Sequence, residues 1–319
     1  MTLSSPPPVT IPDDVPSLAG NPRTNDRVFF AAPPPEIGPL YRAESGLKIG
    51  KRPVSPGARL VILGLAVLPG VALTLAAALM DMRGNDADFW FLMLIFGPAL
   101  LLIGGLIAWY YTRFRVSCAY VGQLGAVRYT LKGKLENQPR VEFIPFDRAA
   151  ELRTAQTRHY YNGIYTGTSY SFLWTDAAGR KVLGLSGRHQ GKNALPKPGD
   201  PFHFANATEI AWSMFLLARA DAELAEHGAL RFNVGGNKWL VIGPGFIEFH
   251  FGGRTDRCEA GDIKSIALSQ GQFAILHRDA KWYSSKGKFS FPYGNMANAR
   301  LFLLVLDRFL PPSTWAQKT

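Results

Sequence analysis

Apolar positions along the chain fall into two contrasting patterns. Leu60 to Met80 is a run of 21 residues without a charge, and Phe89 to Tyr111 is a second run of 23. A bilayer core about 30 Å thick is crossed by about 20 helical residues, so each run predicts a spanning helix. Two buried helices of a large soluble core are the competing account, but apolar runs there are usually about 10 to 14 residues long. The expectation is a transmembrane helical hairpin over 59–112. Pro69-Gly70 and Gly97-Pro98 predict kinks that neighbouring helices tolerate. Within the spans only Thr74 is polar, which argues against conduction or transport. Gly97, Gly104 and Gly105 offer room for the close approach of another helix.

Elsewhere the apolar runs are short and bounded by turn residues. Val116–Val121, Ala126–Leu131, Val141–Phe146, Leu152–Tyr161, Ile164–Trp174 and Arg180–Leu185 read as strands. Asn162-Gly163 predicts a two-residue hairpin turn, because both positions need positive φ. With a two-residue loop, Tyr161 pairs with Ile164, His159 with Thr166, Thr157 with Thr168 and Ala155 with Tyr170. That register places Ile164, Tyr170 and Phe172 on one face and Arg158, Tyr160 and Tyr165 on the other. A helix over Ala207–His227 follows, with Asn206 as N-cap and Gly228 as stop. Then come strands at 238–242, 246–251, 258–266, 273–277, 280–283 and 288–293, and a helix over 297–310. Leu124-Gly125-Ala126-Val127 matches Pro244-Gly245-Phe246-Ile247, and Ala205-Asn206-Ala207 matches Ala297-Asn298-Ala299. Strands closed by one helix, twice over, predict a duplicated module, with a single larger mixed domain as the alternative.

Before the hairpin, Pro6, Pro7, Pro8, Pro12, Pro16, Pro22 and Pro33 to Pro35 predict an extended or disordered tail, because each proline removes an amide donor. Such a tail is also a candidate Pro-rich ligand for a partner groove. Met1 to Pro8 lacks a basic and an apolar region, so no cleavable signal peptide is expected and the first span is the targeting signal. The predicted organisation is a Pro-rich, basic-ended tail (1–58), the hairpin (59–112), two sheet-plus-helix modules (113–229 and 230–312) and a short tail (313–319).

Charge gives the hairpin a direction. Arg42, Lys48, Lys51, Arg52 and Arg59 precede the first span, Arg113 and Arg115 follow the second, and Asp81, Asp86 and Asp88 fill the break against Arg83 alone. Basic flanks are retained inside, so both termini and the soluble region are expected on the cytoplasmic side of the inner membrane. Trp90 at the outer end and Trp109, Tyr110 and Tyr111 at the inner end are expected interfacial anchors. Residues 113–319 carry 27 of the 35 basic side chains and 16 of the 24 acidic ones. Beside a membrane, anionic lipid is the nearer partner for that excess, and no nucleic acid is expected. The candidate lipid contacts are Lys132, Lys134, Arg180, Lys181, Lys286 and Lys288, for which a merely solvated basic face is an equal account.

The remaining chemistry is sparse. Cys118 and Cys258 form no C-x-x-C, the six histidines are scattered, and no H-E-x-x-H, G-x-S-x-G or P-loop occurs. No catalytic residue, metal or cofactor is expected. Thr157-Arg158-His159-Tyr160-Tyr161-Asn162-Gly163-Ile164-Tyr165-Thr166-Gly167-Thr168, placed after two spans, resembles an uncharacterised family of two-span bacterial membrane proteins. The second half, with its glycine turn, its Asp262-Ile263 strand and its closing Asn-Ala helix, resembles bacterial pleckstrin-homology-like domains attached to membrane hairpins. The resemblance covers about residues 60 to 310. It implies a fold, a membrane hairpin plus α+β with tandem pleckstrin-homology-like barrel or sandwich modules each closed by a helix, and a membrane location. It brings over no catalytic residue. The leading expectation is a non-enzymatic accessory or scaffold protein of a larger membrane complex, with Arg158, Tyr160 and Tyr165 as the partner contact. An anionic-lipid sensor is the second expectation, and an enzyme assembled only in three dimensions the third.

Overall fold

The structure is a computed structural model that describes residues 9–81, 87–134, 137–190 and 195–310, the side chains of 77 and 80–94 excepted. The acidic break, the Trp90 anchor, the tail 313–319 and the first eight residues with Pro6 to Pro8 lie outside the described residues. The chain is α+β. Helices α1 (Pro56–Asp81) and α2 (Ala87–Thr112) are each 26 residues and are long and apolar enough to cross a bilayer. They pack on each other through small residues. A Cβ on Gly97 would collide with Thr74 Oγ1, and one on Gly104 with the Ala66 carbonyl, so the expected close approach is made by the chain's own helices. Thr74 Oγ1 donates to the Gly70 carbonyl at 2.8 Å, so its polarity is spent within α1.

The hairpin interrupts a sheet. Strand β1 (Leu40–Ser45) pairs antiparallel with β2 (Arg115–Gly122), Ala43 facing Tyr120, and β3 (Gly125–Lys132) and β4 (Arg140–Pro145) continue in order. A 3₁₀ turn at Phe146–Arg148 leads to a second sheet of β5 (Glu151–Tyr161), β6 (Ile164–Thr175) and β7 (Lys181–His189). The two sheets and the first half of α3 (Pro201–His227) enclose one core, in which Ile144, Phe146, Phe172, Trp174, Phe204 and Trp212 are fully buried. The same order then recurs. Strands β8 (Leu230–Gly235), β9 (Lys238–Gly243), β10 (Phe246–Phe251) and β11 (Arg254–Glu259) form a four-stranded sheet. A 3₁₀ turn at Ala260–Asp262 follows, then β12 (Ile263–Ser269), β13 (Gln272–His277), β14 (Lys288–Pro292) and α4 (Ala299–Phe309).

Five expectations are corrected. Residues 9–50 are no loose tail. Ile11, Val15, Phe29 and Ile37 are buried against Ala43, Cys118, Tyr120 and Val127 on the outer face of the first sheet. Their spacing has no period, because the segment wraps the sheet and does not pair along it; side chains hold its carbonyls, as Arg42 does for Leu18 at 2.9 Å. The run 258–266 is two strands broken by the turn at 260–262, and 280–283 is loop. Helix α3 begins at Pro201, capped by Asp200, whose carboxylate accepts the Phe202 amide at 2.8 Å, so Asn206 is helix interior. The β5–β6 hairpin contains a bulge: Tyr160 pairs with Tyr165, but His159 pairs with Gly167 and Arg158 with Thr168. Thr166 is the extra residue and Gly167, at φ +146, accommodates it. The bulge puts Arg158, Tyr160 and Tyr165 on the face of Tyr170 and Phe172, and turns Ile164 the other way.

Asn298 joins the two units. It sits at φ +55, and its side chain does not cap α4. Its Oδ1 accepts the Leu152 amide at 2.9 Å and Trp212 Nε1 at 3.0 Å, and its Nδ2 donates to the Ala150 carbonyl at 3.1 Å. Beside it, Arg300 reaches Glu209 and Asn206 at 3.4 Å. The second half of α3 contributes Ala220 to the core of the second unit, so the helix is shared. Asn298→Ala leaves two buried donors and one acceptor unpaired. It is expected to cost about 2–4 kcal/mol in urea denaturation of the full-length protein followed by tryptophan emission. Burial pushes the Glu209 carboxyl above its ordinary value, against the opposing pull of Arg300. Stability from a carboxyl raised in the folded state is present below the unfolded pKa and is lost as pH climbs through the folded one. Glu209→Gln is therefore expected to flatten the fall in thermal stability on raising pH from about 4.5 towards neutrality, measured against wild type.

Candidate functional site

Two places combine exposure with chemistry: the base of the apolar hairpin and the loop tips of the sheets. At the base, only Arg113 and Phe114 separate α2 from β2. Phe114 is buried with Leu47, Val116 and Leu131, and its carbonyl accepts the Gly133 amide at 3.0 Å. The helix end is thereby fixed to the sheet. Arg59 ties the two helices together: its guanidinium lies 4.5 Å from the Trp109 ring centre, and its Nε donates to Thr112 Oγ1 at 3.1 Å. Trp109, Tyr110 and Tyr111 are exposed around this base. Lys132, opposite Arg115 in the β2–β3 ladder, and Lys134 extend into solvent beside it.

The other candidate lipid contacts lie elsewhere. Arg180 is paired with Asp176 at 2.8 Å, and its amide and guanidinium hold that carboxyl below the usual range. This turn shares a shallow cleft with Asp147 and Arg148, and the adjoining Phe146 amide bonds the Leu124 carbonyl. Arg180 and Lys181 therefore stand at the end of the first sheet away from the hairpin, a strand length of about 25 Å from Lys132 and Lys134. Lys286 lies in the β13–β14 loop of the second unit and Lys288 opens β14, its Nζ donating to the Trp282 carbonyl at 2.9 Å. Trp282 is 90% exposed and Tyr283 67%. The sequence pattern took these two for strand residues. Their flanking lysines and serines were the available signal for a loop.

At the β5–β6 tip, Tyr160 and Tyr165 form an edge-to-face pair with ring centres 5.9 Å apart. Tyr165 is half-buried, its hydroxyl bonded to Thr168 Oγ1 at 2.8 Å, whereas Tyr160, Tyr161 and Ile164 are 59%, 71% and 70% exposed. Tyr160, Tyr161 and Ile164 are thus the exposed side chains of the tip, Tyr160 on the face of Arg158 and the other two on the opposite face, while Tyr165 supports Tyr160. Asn162 and Gly163, at φ +48 and +77, make the tight turn that projects them.

Both cysteines are buried and free, and desolvation pushes the thiols up to about 12 for Cys118 and about 11 for Cys258. They are protonated at neutral pH. Among the described residues no three His, Cys, Asp or Glu side chains are grouped to hold a metal ion. Fold and surface together define an α+β protein carrying an apolar helical hairpin within its first sheet. No family model matches the chain, and no curated protein matches it.

Removing the Tyr165 hydroxyl, as Tyr165→Phe, is expected to cost about 1 kcal/mol in denaturant unfolding. Tyr161→Ser and Ile164→Ser, at exposed side chains, should stay within about 0.5 kcal/mol of wild type.

Proposed function

We propose that this chain is a two-span protein of the cytoplasmic (inner) membrane, a non-enzymatic accessory or scaffold whose soluble units dock a partner of a larger membrane complex. The observation that carries this is the insertion of the apolar hairpin between two paired strands. Chain leaves the sheet at Ser45 and re-enters at Arg115, with Phe114 buried at the junction, so the platform has a fixed attitude to whatever the helices occupy. Only 6% of the apolar stretch of α1 and 17% of that of α2 is buried, which supports lipid as the medium around them and not a protein core. Arg52, Arg59, Arg113, Arg115, Lys132 and Lys134 ring the base, and this favours a cytoplasmic sheet region. Four strands, a 3₁₀ turn, a three-stranded meander and a closing helix, twice over, support pleckstrin-homology-like modules from a duplicated unit. The exposed Tyr160, Tyr161 and Ile164 at the hairpin tip suit a protein contact.

The full-length protein is expected to resist carbonate extraction, and its sheet region should be cleaved by protease in inverted vesicles but not in right-side-out ones. After purification in mild detergent, a partner retained by wild type and lost from the Tyr161→Ser/Ile164→Ser double variant supports docking at the tip. A chain always isolated alone, or a partner indifferent to the double substitution, counts against it.

A further inference from the structure

The base of the hairpin holds a groove of about 1000 Å³, at the upper end of the range for small-molecule sites. Its walls come from three separate parts of the chain: the segment leading into α1, the facing ends of α1 and α2, and the β3–β4 connection. The lining divides by chemistry. Leu60, Leu63 and Trp109 make an apolar wall along the helices, and Arg52, Arg59 and Lys134 stand at the sheet end. Among the described residues no carboxylate lines the groove, and none of the three cations has an acidic partner within 4.0 Å. Arg59 is held in place by Trp109 and by its Nε bond to Thr112, and these contacts leave its two terminal nitrogens for a ligand.

Resting on the membrane reading of the hairpin, we infer that this groove binds a single anionic phospholipid, with its phosphate among Arg52, Arg59 and Lys134 and the start of one acyl chain along Leu60, Leu63 and Trp109. A planar guanidinium and two flanking cations match a phosphate oxygen set. A free phosphate ion would satisfy the cations but leave the apolar wall in water. A zwitterionic lipid would satisfy the wall but bring a cation of its own among three others. Trp109, at the level where indole rings lie in a bilayer, puts the division between the two halves at the headgroup boundary. Of these cations the sequence pattern makes only Lys134 a candidate lipid contact; it reads Arg52 and Arg59 as the basic flank that orients the hairpin, far from Lys134 along the chain.

Native mass spectrometry of the full-length protein in mild detergent, with added phosphatidylglycerol or phosphatidylcholine, tests this. Wild type is expected to keep one phosphatidylglycerol per chain at collision energies that strip phosphatidylcholine. Arg52→Gln with Lys134→Gln, both exposed side chains, should weaken phosphatidylglycerol retention about fivefold per charge removed and leave phosphatidylcholine unchanged. Arg59→Lys, which keeps the charge, should retain more lipid than Arg59→Gln. Lys286→Gln with Lys288→Gln removes the same charge from the second unit and should have no effect. Equal retention of the two lipids, an equal loss from the Lys286/Lys288 variant, or displacement of the lipid by glycerol phosphate at matched concentration overturns the proposal. If the protein also resists carbonate extraction, the groove alone is wrong; release by carbonate overturns the hairpin reading and the groove together.

Discussion

The pairing of β1 with β2 is the constraint from which the rest of the arrangement follows. Hydrogen bonds between Leu40–Ser45 and the strand beginning at Arg115 close a loop whose content is two apolar helices of 26 residues each. Two chain crossings bind the helices to the sheet, and one of them contains only Arg113 and the buried Phe114. A hairpin hung on a single flexible linker would leave the sheet free to tumble. Held at both ends, the sheet and the helices share one frame, and residues distant in sequence, such as Arg52, Trp109 and Lys134, line one groove.

The two units repeat an order of elements but finish their four-stranded sheets differently. In the first, the outer face carries Ala43, Cys118, Tyr120 and Val127, which would be an apolar patch in water; residues 9–37 cover it. In the second, the outer face is dressed by its own side chains. Arg231 lies over Trp239, Trp239 stacks on His250 at 4.8 Å, and His250 bonds Glu248 at 2.6 Å and Thr255 at 3.0 Å. Such a face is wet at its polar ends and needs no cover. The proline-rich segment is thus explained by its location. Prolines suit a strap that packs against a sheet without joining its ladder, since they supply apolar contact and need no amide partner.

The join between the units is a polar one set into packed surroundings. Asn298 occupies a left-handed conformation that asparagine tolerates better than most residues, and it spends its whole side chain on the neighbouring unit. Trp212, buried against Phe146 and Phe215, contributes both an aromatic face to the first core and an N–H to the join. The buried Glu209 and the half-exposed Arg300 add charge at the same place. A purely apolar join could slide; directional bonds to Leu152, Ala150 and Trp212 fix one orientation.

Interactions local in sequence were readable from the chain alone. The charge-free runs gave α1 and α2 because their length is a property of one segment. Asn162-Gly163 gave the β5–β6 turn because turn chemistry involves adjacent residues, and Gly228 ended α3 as a left-handed cap. What tertiary structure decided is what depends on segments far apart. Strand β1 carries a mixed pattern in a basic stretch, and it is a strand only because β2, some 70 residues later, offers it an edge. The strap at 9–37 is buried without periodicity, because its partners lie on another element's face. The bulge at Thr166 reversed a face assignment because side chains alternate with period two, so one extra residue moves every neighbour to the other side. Asn298 stands at the N-cap position of α4, yet its side chain bridges to the other unit. The hairpin itself was written in the sequence, whereas its place inside a sheet, and the groove which that place creates, arose only from folding.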